Sequence, residues 1–380
     1  MQASNDRILT THVGSLPRSQ AVTDVVFSQE KGEDPANAAT IIRAAVDDVV
    51  KRQVDTGIDI VSDGEMSKIS YATYIKDRIT GFDGDSERKP PSDLEEFPGF
   101  LKRQASSGGT PTYRRPCCVG DIAVKDMGPA NVDIDNLRTA TDKYRPVESF
   151  MNAASPGVIA LFQPNQHYST HEAYLEALAE AMAHEYRAIV DAGIVLQLDS
   201  PDLGLGRHML FKDKNDSEYQ ALANLHVDAL NHALEGIPKD RVRLHVCWGN
   251  YEGPHHHDAP MDLVLPIALR ANIGALLFES SNPRHAHEWQ VFVDADLPDD
   301  LLLIPGVLDS TTNFVEHPKL VAERICRFAD IVGRDRVIAG TDCGFSTFAG
   351  FGAVDEDIVY AKLASLSEGA AIASDLLWSK

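Results

Sequence analysis

The sequence predicts an α/β protein, a single (β/α)8 TIM barrel with an insertion after the second strand. Short runs rich in Val, Ile and Leu recur along the 380 residues, and longer helical patterns alternate with them. Most runs end on a polar side chain, which is where barrels of this class carry their functional groups. A doubly wound open sheet, the competing architecture, is disfavoured because no GxGxxG opens a helix after a strand.

Eight runs are predicted as barrel strands. Most of them are too short to be helices, and their apolar content is typical of strands that are buried on both faces. They are RILTTHV (7–13), GIDIVSD (57–63), GVIALFQ (157–163), GIVLQLD (193–199), RVRLHVC (241–247), IGALLFE (273–279), LLLIPGV (301–307) and RVIAGTD (336–342).

Helical patterns lie between these strands. Residues 36–57 place their Ile and Val side chains along one face of a helix. Residues 169–193 form a second helix, in which Ser169 and Glu172 are predicted to make a capping box. A third helix opens at His317-Pro318, because a proline at an early helical position loses no hydrogen bond.

The interval 84–156 is too long for one crossover connection, and its start is rich in proline, glycine and charged residues. It is therefore predicted as an excursion from the barrel that carries a helix and a short hairpin near RRPCCVGDIAV. With this excursion included, residues 1–380 are expected to form one catalytic barrel domain.

The composition excludes several classes of partner. A net charge of −22 repels phosphate backbones and anionic lipid, so neither nucleic acid nor a membrane is expected as a partner. No apolar stretch is long enough to span a membrane, and the first residues lack the pattern of a secretory signal. The cytoplasm is therefore the expected location. Five scattered cysteines, an odd number, do not indicate a disulfide framework.

Among the polar residues at strand ends, His245 and Cys247 form the most informative pair. They lie two residues apart on a strand, so both side chains point to the same face. Imidazole and thiolate are good ligands for zinc. The pair alone is a weak indication, because a buried cysteine beside a hydrogen-bonded histidine has the same sequence.

Two further strand ends strengthen the zinc hypothesis. Glu279 ends the next predicted strand, and Cys343 ends the strand two further along the chain. Structural zinc sites take their ligands in pairs from tight knuckles, whereas these residues are spread over about a hundred positions on a barrel rim. The spacing therefore predicts a catalytic Zn²⁺ site made by His245, Cys247, Glu279 and Cys343.

The types of ligand limit the reaction. Two thiolates and an imidazole neutralise much of the charge of the zinc ion, which makes it a poor activator of water. The same site is suited to holding a substrate thiol as a nucleophilic thiolate near neutral pH. Glu279 is the hardest of the four ligands, so it is the one expected to give way to an incoming sulfur. Alkylation of a thiol is therefore favoured over hydrolysis.

Seven segments resemble the cobalamin-independent methionine synthase family, in its catalytic C-terminal barrel. They cover almost the whole chain in family order, and those from residue 244 onward are long and specific. They are TTHVGSLPR (10–18), SDGEMSK (62–68), LQLDSPDL (196–203), LHVCWGNYEGPH (244–255), FESSNPRHAHEW (278–289), PGVLDSTTNFVEHP (305–318) and VIAGTDCGF (337–345).

This resemblance implies the same four zinc ligands. It also implies that Ser15, in the segment 13–15, holds the amino-acid substrate, with Glu65 and Asp199 facing the substrate ammonium. The alternative for Asp199 is that it caps the segment that follows it. The implied reaction is methyl transfer to homocysteine, giving methionine, with a methylfolate or a methylated corrinoid protein as donor.

Other activities remain open. Full-length methionine synthases carry a second, N-terminal barrel that helps to bind polyglutamylated folate, and this sequence has none. The segments TTHVGSLPR and CWG…GPH also resemble epoxyalkane:coenzyme M transferase, a zinc enzyme that opens epoxides with a thiol. Glu65 and Asp199 fit either activity. A non-catalytic zinc-binding barrel protein is the alternative of another class, but it would need neither acidic residue.

His255 and His287 lie in histidine-rich segments that are expected beside the metal. An imidazole ordinarily gains and loses its proton near neutral pH, so either residue is a candidate for protonating a leaving amine or an alkoxide. Equally, both can serve to hold the ligand loops by hydrogen bonds. Arg18 is a candidate for binding a substrate carboxylate or sulfonate, with a surface salt bridge as the alternative. The identity of the thiol and of the alkyl donor, and whether the chain forms a homo-oligomer, stay open.

Overall fold

The computed structural model describes residues 1–87, 90–106 and 114–379. In chain order the strands are β1 (Leu9–Thr10), β2 (Ile60–Val61), β3 (Phe82–Asp83), β4 (Cys117–Cys118), β5 (Glu148–Ala154), β6 (Val195–Asp199), β7 (Val242–His245), β8 (Ala275–Phe278), β9 (Leu302–Leu308) and β10 (Ile338–Thr341). The α-helices are α1 (Gln20–Glu30), α2 (Ala38–Asp55), α3 (Ser92–Glu95), α4 (Pro98–Ser106), α5 (Gly128–Tyr144), α6 (Pro156–Phe162), α7 (His171–Asp191), α8 (Asp216–Ala233), α9 (Met261–Ala268), α10 (Trp289–Asp294), α11 (Pro318–Val332) and α12 (Glu356–Trp378). Short 3₁₀ helices lie at Thr73–Asp77, Pro201–Leu203, Leu205–His208, Lys239–Arg241 and Arg334–Arg336.

Eight of the strands form a nearly closed parallel barrel, as the sequence predicts. Their order is β1-β10-β9-β8-β7-β6-β5-β2. The seam between β1 and β2 is bridged by the Asp59 amide, which donates to the Thr10 carbonyl at 3.2 Å. Thr11 Oγ1 adds a bond to the Ile60 carbonyl at 3.0 Å. Helices surround the barrel, and within the described ranges none is long and apolar enough to cross a membrane.

The barrel interior combines an apolar cluster with a buried arginine. The cluster comprises Leu9, Val13, Ile60, Phe150, Val195, Ala275, Leu277, Ile304 and Ile338. The Arg243 guanidinium lies 3.5 Å from the centre of the Phe150 ring. It donates to Gln197 Oε1 at 2.8 Å, to Thr11 Oγ1 at 3.1 Å and to the His12 carbonyl at 2.9 Å. These bonds tie β7 to β6 and to the segment that follows β1.

The third predicted strand, at residues 157–163, is wrong, because this run forms helix α6. Ser155 caps the helix by accepting from the Val158 amide at 3.0 Å, and Pro156 occupies its first position. The third barrel strand is instead β5, with the sequence ESFMNAA. Asn152 of this strand is buried and makes hydrogen bonds inside the barrel, so the strand lacks the apolar pattern that predicts the others. The other seven predicted strands each overlap a barrel strand.

The insertion after the second barrel strand ends before Glu148 rather than at residue 156. Its last helix, α5, lies against α2, where Lys143 Nζ and Tyr144 Oη both donate to Asp47 Oδ2 at 2.8 Å. This helix therefore serves as the barrel helix between β2 and β5. The hairpin predicted near RRPCCVGDIAV is a long-range ladder, because β4 pairs antiparallel with the distant β3.

The predicted helix starts lie close to the observed ones, and one capping residue is shifted by a single position. Helix α7 is capped by Thr170, whose Oγ1 accepts from the Ala173 amide at 3.1 Å, rather than by Ser169. Two adjacent hydroxyl residues offer the same capping chemistry, and sequence alone does not choose between them. The start of α11 is confirmed, since His317 caps the helix and Pro318 is its first residue.

Candidate metal centre

Three predicted ligands converge where β7 and β10 end. His245 is the last residue of β7, Cys247 follows two positions later, and Cys343 lies two residues beyond β10. Their ligand atoms all lie within 4.8 Å of one another, and the three side chains are buried. Because parallel strands end on the same rim of a barrel, residues almost a hundred positions apart in sequence meet at one point.

The sulfur geometry fits a bound zinc ion. The Sγ atoms of Cys247 and Cys343 are 3.6 Å apart. Tetrahedral zinc with bonds of about 2.3 Å places two sulfurs roughly 3.8 Å apart, whereas a disulfide needs about 2.05 Å. The separation is therefore too long for a disulfide and close to that of two thiolates on one metal ion.

Both thiols need a cation if they are to be ionised together. The hydrogen bond with Cys343 and burial raise the pKa of Cys247 well above its ordinary value. For Cys343, the hydrogen bond with Cys247 lowers the pKa, but burial and the Glu279 carboxylate outweigh it, so this pKa is raised as well. Two buried thiols with raised pKa values are good metal ligands only when the metal compensates the charge.

Glu279, the fourth predicted ligand, follows β8 and lies near the other three without joining their closest cluster. Its Oε1 accepts from the Trp248 amide at 3.0 Å, and its Oε2 accepts from Asn282 Nδ2. Burial raises its pKa well above the ordinary value, and the nearby Cys247 raises it further. The Glu279 carboxylate therefore lies beside the three clustered residues, and its own hydrogen bonds are made with Trp248 and Asn282.

Asp199 orients His245, the predicted histidine ligand. Its Oδ1 lies 3.2 Å from His245 Nδ1 and also accepts from Gln197 Nε2 at 2.9 Å. Its Oδ2 accepts from Asn152 Nδ2 at 2.9 Å. Burial lowers the pKa of His245, but the hydrogen bond to Asp199 and the nearby Cys247 raise it overall. With Nδ1 engaged by the carboxylate at 3.2 Å, Nε2, whose contact with the Asp342 carbonyl is longer at 3.4 Å, is the better placed nitrogen for a metal ion.

The ligand trio lies at the floor of a cavity of about 360 Å³. The floor also contains Val13, Ser15, Glu65 and Asp199. The walls are mainly apolar and aromatic, with Tyr71, Leu94, Leu101, Phe162, Leu205, Met209, Tyr251, Phe348 and Phe351. Leu94 and Leu101 belong to α3 and α4 of the insertion. The insertion therefore provides part of the wall of the cavity.

Glu65 is a buried carboxylate that faces this cavity. Its backbone has a φ of 58°, in the left-handed region that residues other than glycine seldom adopt. Among the described residues, none makes a hydrogen bond with its buried Oε2 atom. Burial raises the pKa of Glu65 to about 7; the Lys68 ammonium opposes this rise and the Asp199 carboxylate adds to it. This oxygen is therefore available to a ligand that brings a donor.

Ser15 lies at the cavity floor, whereas Arg18 does not face the cavity. Arg18 donates to the Glu65 carbonyl at 2.7 and 3.2 Å, to the Lys68 carbonyl at 3.1 Å and to the Ser346 carbonyl at 2.7 Å. All of these acceptors belong to the protein backbone. The arginine therefore supports the unusual backbone of Glu65 and does not present its guanidinium to a substrate.

Of the two histidines predicted beside the metal, His255 is buried and His287 is exposed. His255 is buried, with Nδ1 2.8 Å from Asp258 Oδ2 and Nε2 2.9 Å from the Tyr251 carbonyl, so both ring nitrogens are engaged. His287 is exposed and is not among the residues that line the cavity. Two positions earlier, His285 is the buried histidine, and its ring stacks on Trp248 with a centroid separation of 4.2 Å.

Asp258, which the sequence does not single out, holds three imidazoles behind the ligand loop. Its carboxylate oxygens lie 2.8 Å from both His255 and His285, and 3.2 Å from His208. Burial alone would lower the pKa of His285, but hydrogen bonds with Asp258 and Glu288 raise it to about 10. A charged His285 therefore packs against Trp248, the residue that follows Cys247. The run HHHD (255–258) indicates a network of histidines and a carboxylate, but it does not identify the partners in that network.

Comparisons with known proteins agree with this geometry. A family model described as "Cobalamin-independent synthase, Catalytic domain" matches residues 8–356. Methionine synthase from Sulfolobus acidocaldarius is 23% identical over 375 residues, which cover 98% of this chain and 94% of that protein. 2-Hydroxypropyl-CoM lyase from Xanthobacter autotrophicus is 26% identical over 403 residues, covering 96% of this chain and 94% of that protein.

The fold also resembles a solved structure, that of a B12-independent methionine synthase from a Shewanella species in complex with selenomethionine. The TM-score is 0.74 at 19% sequence identity, and the match covers 98% of this chain and 100% of the other. At this level of identity the likeness concerns the fold of the barrel and its insertion.

The Asp258 network generates a prediction about stability. Asp258→Asn should lower the free energy of unfolding by about 3 kcal/mol at pH 6, because it removes the carboxylate that three buried imidazoles share, although Glu288 still faces His285. His285 has its pKa raised to about 10 in the folded protein, so its stabilising contribution is complete below about pH 6.5 and is lost as the pH rises through 10. Denaturant unfolding between pH 6 and 10 should therefore show a flatter pH dependence in the variant. Asp296→Asn, at an exposed aspartate, is the control, and an equal loss in both variants would contradict the argument.

Proposed function

Since the chain belongs to the cobalamin-independent methionine synthase family, we propose that it is a zinc-dependent thiol S-alkyltransferase that methylates homocysteine to methionine. The observation that carries the proposal is the meeting of His245, Cys247 and Cys343 at the floor of the cavity beside the open carboxylate of Glu65. A metal-ligand trio and an anionic group in one cavity match a substrate that has both a thiol and an ammonium group.

The metal would be held by His245, Cys247 and Cys343, with Glu279 as the fourth ligand. A zinc ion bound there supplies the positive charge that keeps a substrate thiol deprotonated near neutral pH. Asp199 keeps the His245 ring in its orientation through Nδ1. Glu279 is the ligand that can be released with least disturbance, because Trp248 and Asn282 already bond to its oxygens.

The two acidic residues are given different roles in this proposal. Both oxygens of Asp199 accept hydrogen bonds from the protein, so its main role is to position His245. Glu65 lines the cavity, and its Oε2 has no hydrogen-bond partner among the described residues, so in this proposal Glu65 takes the substrate ammonium directly. Ser15 Oγ, at the same floor, is close to both the substrate site and the Ser346 amide, from which it accepts at 3.3 Å.

His255 acts in this proposal by positioning rather than by proton transfer. Its ring stacks on Tyr251 with a centroid separation of 4.3 Å, and Tyr251 lines the cavity. Because both ring nitrogens of His255 are engaged, the imidazole holds this aromatic wall in place. His287 receives no role in the reaction, and Arg18 acts only by supporting Glu65.

A second activity, the opening of an epoxide by a thiol, is favoured by one specific feature. The cavity walls are mainly apolar and aromatic, which suits a small alkyl donor such as an epoxide. Homocysteine is the preferred thiol in this proposal, since it carries an ammonium group for the open Glu65 oxygen and coenzyme M carries none.

The choice of thiol can be tested on the zinc-loaded protein. Homocysteine should add a sulfur neighbour to the metal in the zinc K-edge X-ray absorption spectrum, because its ammonium pairs with Glu65. Coenzyme M at the same concentration should leave the spectrum unchanged, because it has no ammonium group to pair with Glu65. The opposite result would reject methionine synthesis in favour of the epoxide-opening activity and leave the zinc chemistry intact.

The metal site is tested by zinc content after dialysis. Cys343→Ala should lose zinc from the cavity site, because it removes one of three converging ligands. Cys326→Ala, at a half-buried cysteine of α11, is the matched control and should retain it. Zinc at the cavity site of Cys343→Ala, equal to that of the unmodified chain, would rule out the proposed ligand set.

Glu65 predicts a pH dependence for ligand binding. Its pKa of about 7 means that the carboxylate is largely neutral below this pH and ionised above it. Methionine carries the ammonium group but no titratable thiol, so its affinity, measured by calorimetry, should rise as the pH passes through 7. In Glu65→Gln the affinity should be weaker above pH 7 and nearly independent of pH between 6 and 8. An unchanged pH profile in this variant would exclude Glu65 as the ammonium partner.

A further inference from the structure

A second group of metal-ligand side chains lies on the surface, outside the cavity. Glu96 follows α3 of the insertion, and His256 and His257 lie in the segment between Cys247 and α9. His256 Nε2 is 2.9 Å from Glu96 Oε2, and His257 Nε2 is 2.5 Å from Glu96 Oε1. The ligand atoms of the three residues all lie within 4.8 Å of one another, and all three residues are exposed.

We propose that Glu96, His256 and His257 form a second binding site, for a divalent transition-metal ion such as zinc. Two imidazole nitrogens and a carboxylate are ligands that zinc accepts, and water can complete the coordination. Both Nε2 atoms already point at one carboxylate, so little rearrangement is needed to receive an ion. A simple surface ion pair requires only one imidazole, as in the pair of His232 with Glu235.

The position of this site gives it a structural consequence. Glu96 belongs to the insertion that contributes Leu94 and Leu101 to the cavity wall, whereas the two histidines belong to the loop that contributes Tyr251. A metal ion would therefore join two segments that both line the cavity.

The same two segments are already joined on their inner side. Asp93 Oδ2 accepts from the His255 amide at 2.9 Å and from Tyr251 Oη at 2.8 Å, and Asp93 is buried. The proposed ion would lie outside this buried contact and add a second, exposed connection. Binding of the ion would stabilise the contact between the insertion and the loop, because an ion that binds only when the two segments are in contact shifts the equilibrium toward that state.

Protons compete with the metal at this site. Hydrogen bonds from His257 and His256 hold the pKa of Glu96 below its ordinary value, so the carboxylate is charged at neutral pH. An imidazole must be neutral at the nitrogen that binds the ion. The facing groups are these three residues, with the Phe97 ring 5.6 Å from His256 and the exposed Arg284 near the His256 carbonyl. Occupancy should therefore fall at acid pH, where protons compete with the ion for the ligand atoms.

Zinc stoichiometry on the full chain tests the proposal. The chain is stripped with a chelator, dialysed against zinc chloride at neutral pH, and analysed for zinc by elemental analysis. The unmodified chain should bind two ions, and Glu96→Gln and His257→Asn should each bind one. His232→Asn, which removes an exposed histidine of an ordinary ion pair, should still bind two. The thermal midpoint of the unmodified chain should rise with the second ion and not in Glu96→Gln.

This experiment can reject either proposed metal site without rejecting the other. If Glu96→Gln keeps two ions, or if the unmodified chain binds one ion that Cys343→Ala loses, the second site is rejected. If the unmodified chain binds one ion that Glu96→Gln loses and Cys343→Ala keeps, the surface site stands and the cavity site is rejected.

Discussion

The arrangement of the site depends on one buried carboxylate, that of Asp199. It accepts from Asn152 of β5 and Gln197 of β6 and engages His245 of β7, so three neighbouring strands share one acceptor. The two amides also donate to the Val13 carbonyl beyond β1. A buried acceptor with several partners fixes each of them, since losing any one leaves a polar group unsatisfied in the interior. The orientation of the histidine ligand is thus set by the barrel as a whole.

The polar contacts beneath the site explain why the barrel is not uniformly apolar. Burial lowers the pKa of Arg243 to about 9, yet the guanidinium donates to three acceptors and packs on the Phe150 ring. Its bond to Gln197 Oε1 leaves the Gln197 amide nitrogen free to reach Asp199 and Val13. The chain of contacts from Arg243 to Asp199 therefore links the barrel interior to the metal ligands, and it requires polar residues on strands that simple hydrophobic patterns would leave apolar.

Sequence reasoning succeeds in bringing residues together where their meeting follows from position on the barrel. His245, Cys247 and Cys343 are polar residues at strand ends, and parallel strands bring such residues to one rim. It fails where a role depends on contacts between distant segments. Strand β5 is missed because Asn152 replaces an apolar residue, while the more hydrophobic α6 imitates a strand. His285 cannot be told from His287 without knowing which one faces Asp258, and Arg18 resembles a substrate anchor until its backbone acceptors are visible.

The contrast between Glu65 and Asp199 shows how one type of side chain takes two roles. Asp199 is fully engaged by the protein, whereas Glu65 keeps an open oxygen and a φ of 58°, a backbone strain of about 1–3 kcal/mol. Arg18 and the Asp63 carboxylate, which accepts from the Glu65 amide at 3.0 Å, hold this conformation. A strained, buried and unpaired carboxylate lowers the stability of the empty site. A cationic ligand would offset the electrostatic part of that cost on binding, and in the proposed function this ligand is the substrate ammonium.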